Sequence, residues 1–229
     1  LYNDWNFIGN PYPGAISADQ FFTVNTGLVG VIYFWDQATA ASNTSGGSVG
    51  YNFSTDDYAM INGAMEVGAR GNTGTIPNRF IPSGQGFFVE ALTGGSVIFN
   101  NSMRNIVNDN SQFFKNSNTK NKTSNSFNKL WVNLSSDNGV GNQIGIGYVN
   151  GASNNDDGAF YDAVKYFSGG AFATLYSIIE NSNKKFAIQG KAPSDLNENE
   201  VISLGFKTSI DVATLYTLSI AQLQGEFLN

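Results

Sequence analysis

The chain has 229 residues, of which 41% are hydrophobic and 14% aromatic, enough for a full core in one large β-domain or two small ones. Charged residues are only 13% and the net charge is -6, so the clustered Lys and Arg that hold phosphate backbones are missing and nucleic acid is excluded as a partner. Cysteine and histidine are absent, which rules out disulfides, thiolate nucleophiles, Ser-His relays and imidazole metal sites.

The first element is "WNFIGNPYPGAI", residues 5–16. An aromatic strand runs into Asn10-Pro11-Tyr12-Pro13, where the prolines remove two amide donors and push the residues before them out of helical geometry. Strand pairing must stop there, and the Asn10 side chain can pin the corner by bonding to its own backbone. "SADQFF" reads as a short helix, with Ser17 as cap and Gln20 completing a capping box. "LVGVIYFWDQ" is apolar on both faces and predicts a strand covered on both sides. "GQGFFVEAL" and "GGSVIFNNS" read as further strands, the second after a Gly94-Gly95 hairpin turn.

Residues 107–128 are rich in Asn, Ser and Lys and read as an exposed loop or linker. Lys115, Lys120 and Lys122 within it and Lys129 just after it make up four of the 12 basic residues, and Phe113 and Phe114 dock its start. Beyond it, "KLWVNLSS", "NQIGIGYVNG", "ATLYSII", "KKFAIQGK", "EVISLGFKT" and "TLYTLSIAQL" all carry strand patterning, while "AFYDAVKYF" reads as a helical connector of one or two turns. The whole predicts an all-β fold of antiparallel sheets, a β-sandwich or jelly-roll-like arrangement with only short helices. Two packed lobes, at 1–106 and 129–229, flank the 107–128 segment.

Two clusters are candidate sites. Asn154, Asp156, Asp157 and Asp162 gather hard oxygen donors around a glycine turn, which points to a structural calcium ion, the one cofactor the pattern suggests. The competing reading is that these side chains form the turn and cap the following helix. Trp131, Trp35, Tyr12 and Trp5 could supply flat apolar faces to a pyranose ring beside Asn and Asp hydrogen-bonding groups. Trp131 leads, because Leu130 and Val132 claim the opposite face of its strand. Against this stands the ordinary use of aromatic rings as core. Asp36, Asp56, Asp57, Glu66 and Glu90 show no spacing that singles out a hydrolytic pair. Without histidine, binding and stability should be nearly flat between about pH 6 and 9.

The ordered motifs "WNFIGNPYPGAI", "IYFWD", "IPSGQGFFVEA", "VIFNNSMR" and "LWVNL" resemble a module of secreted Bacteroidetes proteins, especially flavobacterial ones. In those proteins it lies just before the sorting domain read by the type IX secretion system. The resemblance extends through "YDAVKYF", "LYSII", "KFAIQG" and "VISLGFKT", and so covers nearly the whole chain. It implies an exported, extracellular or outer-membrane-surface location, and a C-terminal lobe truncated at "QGEFLN", where family members continue into further strands. It implies no activity, because such modules ride on many kinds of protein.

The first reading is therefore a non-catalytic structural or adhesive module of the cell surface. The second is a carbohydrate-binding module for a polysaccharide, and a carboxylate-pair enzyme is a distant third. The expected partners are other surface proteins or polysaccharide, with self-association through open edge strands. No apolar run approaches the ~20 residues of a membrane span, and the 30 asparagines give the exterior a hydrogen-bonding rather than ionic character.

Overall fold

The first strand, β1 (Trp5–Gly9), stops at the two prolines, and Asn10 builds the corner. The Asn10 side chain is buried. Its Oδ1 accepts from the Tyr12 amide at 2.9 Å, while its Nδ2 donates to the carbonyls of Gly14, Ile81 and Pro82. One amide side chain thus satisfies backbone groups that the turn leaves without strand partners. β2 (Ile16–Ser17) leads into α1 (Ala18–Val24), where Ser17 Oγ accepts from the Gln20 amide at 3.3 Å. The computed structural model describes residues 1, 4–36, 54–69, 75–114, 127–137, 139–167 and 172–228, and α1 is the one α-helix among them.

β3 (Val29–Trp35), β4 (Tyr58–Ile61), β5 (Glu66–Val67), β6 (Phe80–Ile81) and β7 (Gly86–Ala91) complete the N-terminal half. Five strands form one antiparallel sheet in the order β1-β7-β3-β4-β5, and β2 pairs with β6. One face of the sheet, with Ile32, Phe34, Ile61, Phe87 and Val89, packs on Phe21 and Phe22 of α1. Its other face presents Val31, Tyr33, Met60 and Val67 to the C-terminal half. The sequence expectation that β3 is covered on both sides therefore holds.

Residues 96–100, expected as a strand, join no sheet among the described residues. The Asn25 side chain takes the place of a neighbouring strand: its Oδ1 accepts from the Ile98 amide and its Nδ2 donates to the Ile98 carbonyl. The start of the 107–128 segment packs on the N-terminal sheet. Phe114 stacks on Phe34 at 4.4 Å, and buried Gln112 bonds the Asn78 amide and the Ile76 carbonyl. Lys115, Lys120 and Lys122 lie outside the described residues.

The C-terminal half contains β8 (Asn128–Ser136), β9 (Gly141–Tyr148), β10 (Ala173–Ser177), β11 (Ile188–Lys191), β12 (Leu204–Thr208) and β13 (Tyr216–Gln224). A four-stranded sheet runs β11-β9-β8-β13, antiparallel except for the parallel pair β9–β11, and a two-stranded β10–β12 sheet faces it. Leu134, Ile144, Ala173 and Leu175 fill the space between them. The fold is all-β and sandwich-like. "AFYDAVKYF" is not a helix: the amides of Tyr161 and Asp162 both close on the Gly158 carbonyl, and the chain then extends so that Val164 bridges Phe186. Inward pairing of Val164 and of the Asp162 carboxylate ends the helical turn after one cycle.

The "IGIG" of β9 explains how the two halves meet. A Cβ on Gly145 would lie 2.4 Å from the Met65 side chain and 2.8 Å from Val67, so the strand is bare where the N-terminal sheet approaches. Trp131 on β8 pairs in register with Gly145 and points into the same interface. Beside it lies a buried ion cluster. Glu66 accepts from Arg79 at 2.9 Å and from Lys129 at 3.0 Å, and Arg79 also pairs with Asp19. Burial pulls the Lys129 ammonium below its ordinary pKa; burial also works against Arg79, but Glu66 and Asp19 hold its guanidinium above the usual value.

Candidate functional site

Period-two alternation places Trp5 and Phe7 of β1, Phe88 of β7, Tyr33 and Trp35 of β3 and Tyr58 of β4 on one face of the N-terminal sheet. The inner part of that face is covered by the C-terminal half, and the outer part is not. Trp5 stacks on Tyr33 with centroids 4.1 Å apart, and the edges of Tyr58 and Tyr166 meet it at 5.3 and 5.7 Å. Phe7 is 67% exposed, and its ring reaches over Gly86, where a Cβ would come within 2.5 Å of it. A bare glycine on β7 therefore lets an aromatic ring spread across the sheet.

The segment Val164–Phe167 of the C-terminal half overhangs this platform and closes a cleft of about 310 Å³. Trp5, Tyr58, Tyr166 and Phe167 form its apolar walls, and Gln143, Thr55, Asp56 and Lys165 supply polar groups. Lys165 Nζ lies 2.7 Å from Asp56 Oδ1, both side chains being nearly buried, although the pair is poorly aligned as a hydrogen bond. Thr55 Oγ1 donates to the Tyr166 carbonyl at 3.0 Å, so the cleft walls from the two halves are tied directly. The Tyr33 hydroxyl donates to Glu90 at 2.6 Å, and burial together with that carboxylate pushes its pKa well above the ordinary value. Burial raises Tyr58 and Tyr166 as well, so the phenols stay neutral donors across the physiological range. Clefts at the junction of two structural units, apolar with a few convergent polar groups, are the usual form of a small-ligand site.

Of the four aromatic residues expected to bind, the structure brings Trp5 and Trp35 to this face; Trp35 meets the edge of Tyr58 at 5.0 Å. Tyr12 lies elsewhere, packed on the N-terminal core beneath the Arg104 guanidinium at 5.1 Å. Trp131 is a correction. It is fully buried, and its Nε1 donates to the Glu66 carbonyl at 2.6 Å. The expectation inverted the faces of β8: Lys129, Trp131 and Asn133 point into the junction between the halves, while Leu130 and Val132 are only half-buried on the opposite side. Phe7, Tyr58, Phe88, Tyr166 and Lys165 were not singled out from sequence. The alternation Trp5/Phe7 and Tyr33/Trp35 was the available signal for the platform. Nothing local marks Tyr166, whose segment carries helical spacing.

The acidic loop is fully engaged by internal donors. Asp156 accepts from the Gly158 amide and pairs with Lys184 at 2.8 Å, Asp157 accepts from the amide and hydroxyl of Ser153, and Asn154 accepts from Lys191. Asp162 is buried and accepts from the amides of Asp157 at 2.7 Å and Gly190 at 3.0 Å. Lysines and backbone amides occupy the oxygens that calcium would need. Among the described residues no group of three or more acidic side chains is arranged to hold a metal. Burial pushes the Asp162 carboxyl up to about 7 against those two amides, with Asp157 and Asp156 adding to the rise. A carboxyl so placed would titrate near neutrality, an exception to the flat pH response that composition leads one to expect.

No curated protein and no solved structure matches the chain. Across residues 1–229 the sequence matches a family described as a domain of unknown function, DUF8693, and the chain belongs to that family.

Proposed function

We propose that this chain is a non-catalytic, exported binding module that holds a neutral polysaccharide in the aromatic cleft and so serves adhesion at a surface. The observation that carries the reading is the set of Trp5, Tyr58, Tyr166 and Phe167 rings around a 310 Å³ cleft whose polar groups are amide, hydroxyl and one internally neutralised ion pair. Pyranose C–H faces pack on aromatic rings, while their hydroxyls pair with donors and acceptors of this kind. A cleft without net charge suits an uncharged sugar better than a phosphate or an acidic glycan. The carboxylates nearby are occupied, Asp56 by Lys165 and Glu90 by Tyr33, which supports binding over hydrolysis. The exported location rests on the sequence resemblance and on the amide-rich, weakly charged exterior.

A glycan array followed by calorimetry on the retained polysaccharide tests the proposal. Tyr166→Ala, a substitution at a partly exposed rim position, should weaken binding about tenfold or more, the equivalent of about 1.4 kcal/mol. Retention of no neutral glycan, or retention indifferent to both Tyr166→Ala and Phe167→Ala, would overturn it.

A further inference from the structure

The C-terminal sandwich is open on one side. Among the described residues β13 pairs only with β8, and β12 only with β10. Register places Leu218 and Ile220 on the same face as Leu134 and Val132, towards the β10–β12 sheet, and places Leu204 and Phe206 of β12 alongside Ser177 and Leu175 of β10. These four are inward-facing positions, yet they are 58%, 64%, 40% and 45% exposed. Phe206 touches Tyr216 at 4.9 Å, so the two apolar rows face one another across the open end.

The edges of this protein differ in how they are protected. β1 runs into Pro11 and Pro13, β5 has two residues, and β11 and β12 carry Lys191 and Lys207. β13 is nine residues long and contains neither proline nor charge; its one interruption is a bulge between Ile220 and Gln222. Natural edges of this length normally carry a lysine, a proline or a cover against strand addition. A strand without charge meets its own antiparallel copy with no like charges opposed.

We propose that a second copy of this chain covers the open end, the two β13 strands pairing edge to edge about a two-fold axis near Leu218. The axis sets Leu218 beside its own copy, and Ile220 beside Tyr216 of the second copy, over the regular stretch before the bulge. Val201, Leu204, Phe206, Leu215, Leu218 and Ile220 together expose roughly 350 Å² of apolar side chain, taking the area implied by the usual burial free energy of such residues. Apolar atoms make up about 60% of a typical interface, so each copy buries roughly 600 Å². The total, about 1,200 Å², is at the lower limit for a specific interface. The expected product is a weak, reversible dimer with an eight-stranded sheet.

Sedimentation velocity of the 229-residue chain across the micromolar range should show a monomer–dimer equilibrium. Leu218→Lys, which sets two ammonium groups face to face, should weaken it roughly a hundredfold. The site is solvent-exposed in a single copy, so the melting curve of the dilute variant should match the parent. Independently of any variant, amide exchange at residues 216–220 of the parent should slow as concentration rises. A chain that sediments as a monomer throughout, a Leu218→Lys variant that dimerises as well as the parent, or exchange that ignores concentration would each overturn the proposal.

Discussion

The two halves of the molecule use the same alternating strands and end differently. In the N-terminal sheet one face is covered by α1 and its neighbours and the inner part of the other by the C-terminal half, and its first strand runs into prolines. In the C-terminal sandwich the inward rows of β12 and β13 run past the facing sheet into solvent. Period two therefore tells which side chains share a face. Whether that face is covered depends on what packs on it, a separate fact that no strand carries in its own sequence.

Substitutions can break this contrast in graded steps. The largest effect is expected at the junction. Glu66→Ala would leave Arg79 and Lys129 buried without their shared partner and should lower stability by roughly 3–5 kcal/mol in chemical denaturation. A loss below about 1 kcal/mol would mean that the cluster relaxes into water and does not tie the halves together.

Next come paired truncations of like residues. Ile32→Ala in the closed core should cost roughly 2–5 kcal/mol. Ile220→Ala on the open face of the dilute monomer should stay within about 0.5 kcal/mol. Equal costs at the two sites would erase the contrast between the halves. Gly145→Val, which drives a branched side chain against Met65 and Val67, should cost about 1–3 kcal/mol by overpacking.

A smaller effect is expected from Asp162. Its folded pKa of about 7 lies above the unfolded value near 3.9, so between these pH values the folded state holds the extra proton. The stabilisation is complete below about pH 4, declines as pH rises towards 7, and changes no further above that. The slope is at most about 1.4 kcal/mol per pH unit. Subtracting the Asp162→Asn stability profile from that of the parent should isolate this decline from the opposite trend of Asp156, whose pKa Lys184 lowers. A flat difference would contradict the assignment. Smallest of all, millimolar calcium should leave the melting temperature unchanged, since lysines and amides already satisfy the acidic loop; a rise of several degrees reversed by chelator would show a site the loop geometry does not provide.

Much of the architecture was legible in local pattern. Alternation located β3, β7 and all six C-terminal strands, and the double proline with Asn10 marked the first corner. What failed were decisions that only tertiary partners make. Residues 96–100 have a strand's alternation, but the buried Asn25 amide, distant in sequence, is their partner. "AFYDAVKYF" has helical spacing, yet Asp162 is drawn inward to amides of Gly190 and Asp157. Trp131 was assigned to the surface because Leu130 and Val132 are the more aliphatic pair. The glycines of β9 and the Glu66 carbonyl make the opposite face the buried one. The cleft itself joins β1 to a segment some 160 positions away, and of the four aromatic candidates Trp5 alone lines it.

The cleft can be tested through the three tryptophan indole N–H resonances, which sit in different surroundings. As a neutral polysaccharide fragment is titrated, the Trp5 resonance should shift progressively while that of Trp131, bonded to the Glu66 carbonyl inside the junction, stays fixed. A saturable shift confined to the cleft is the result this account predicts; an unmoved Trp5 with a glycan demonstrably bound would contradict it.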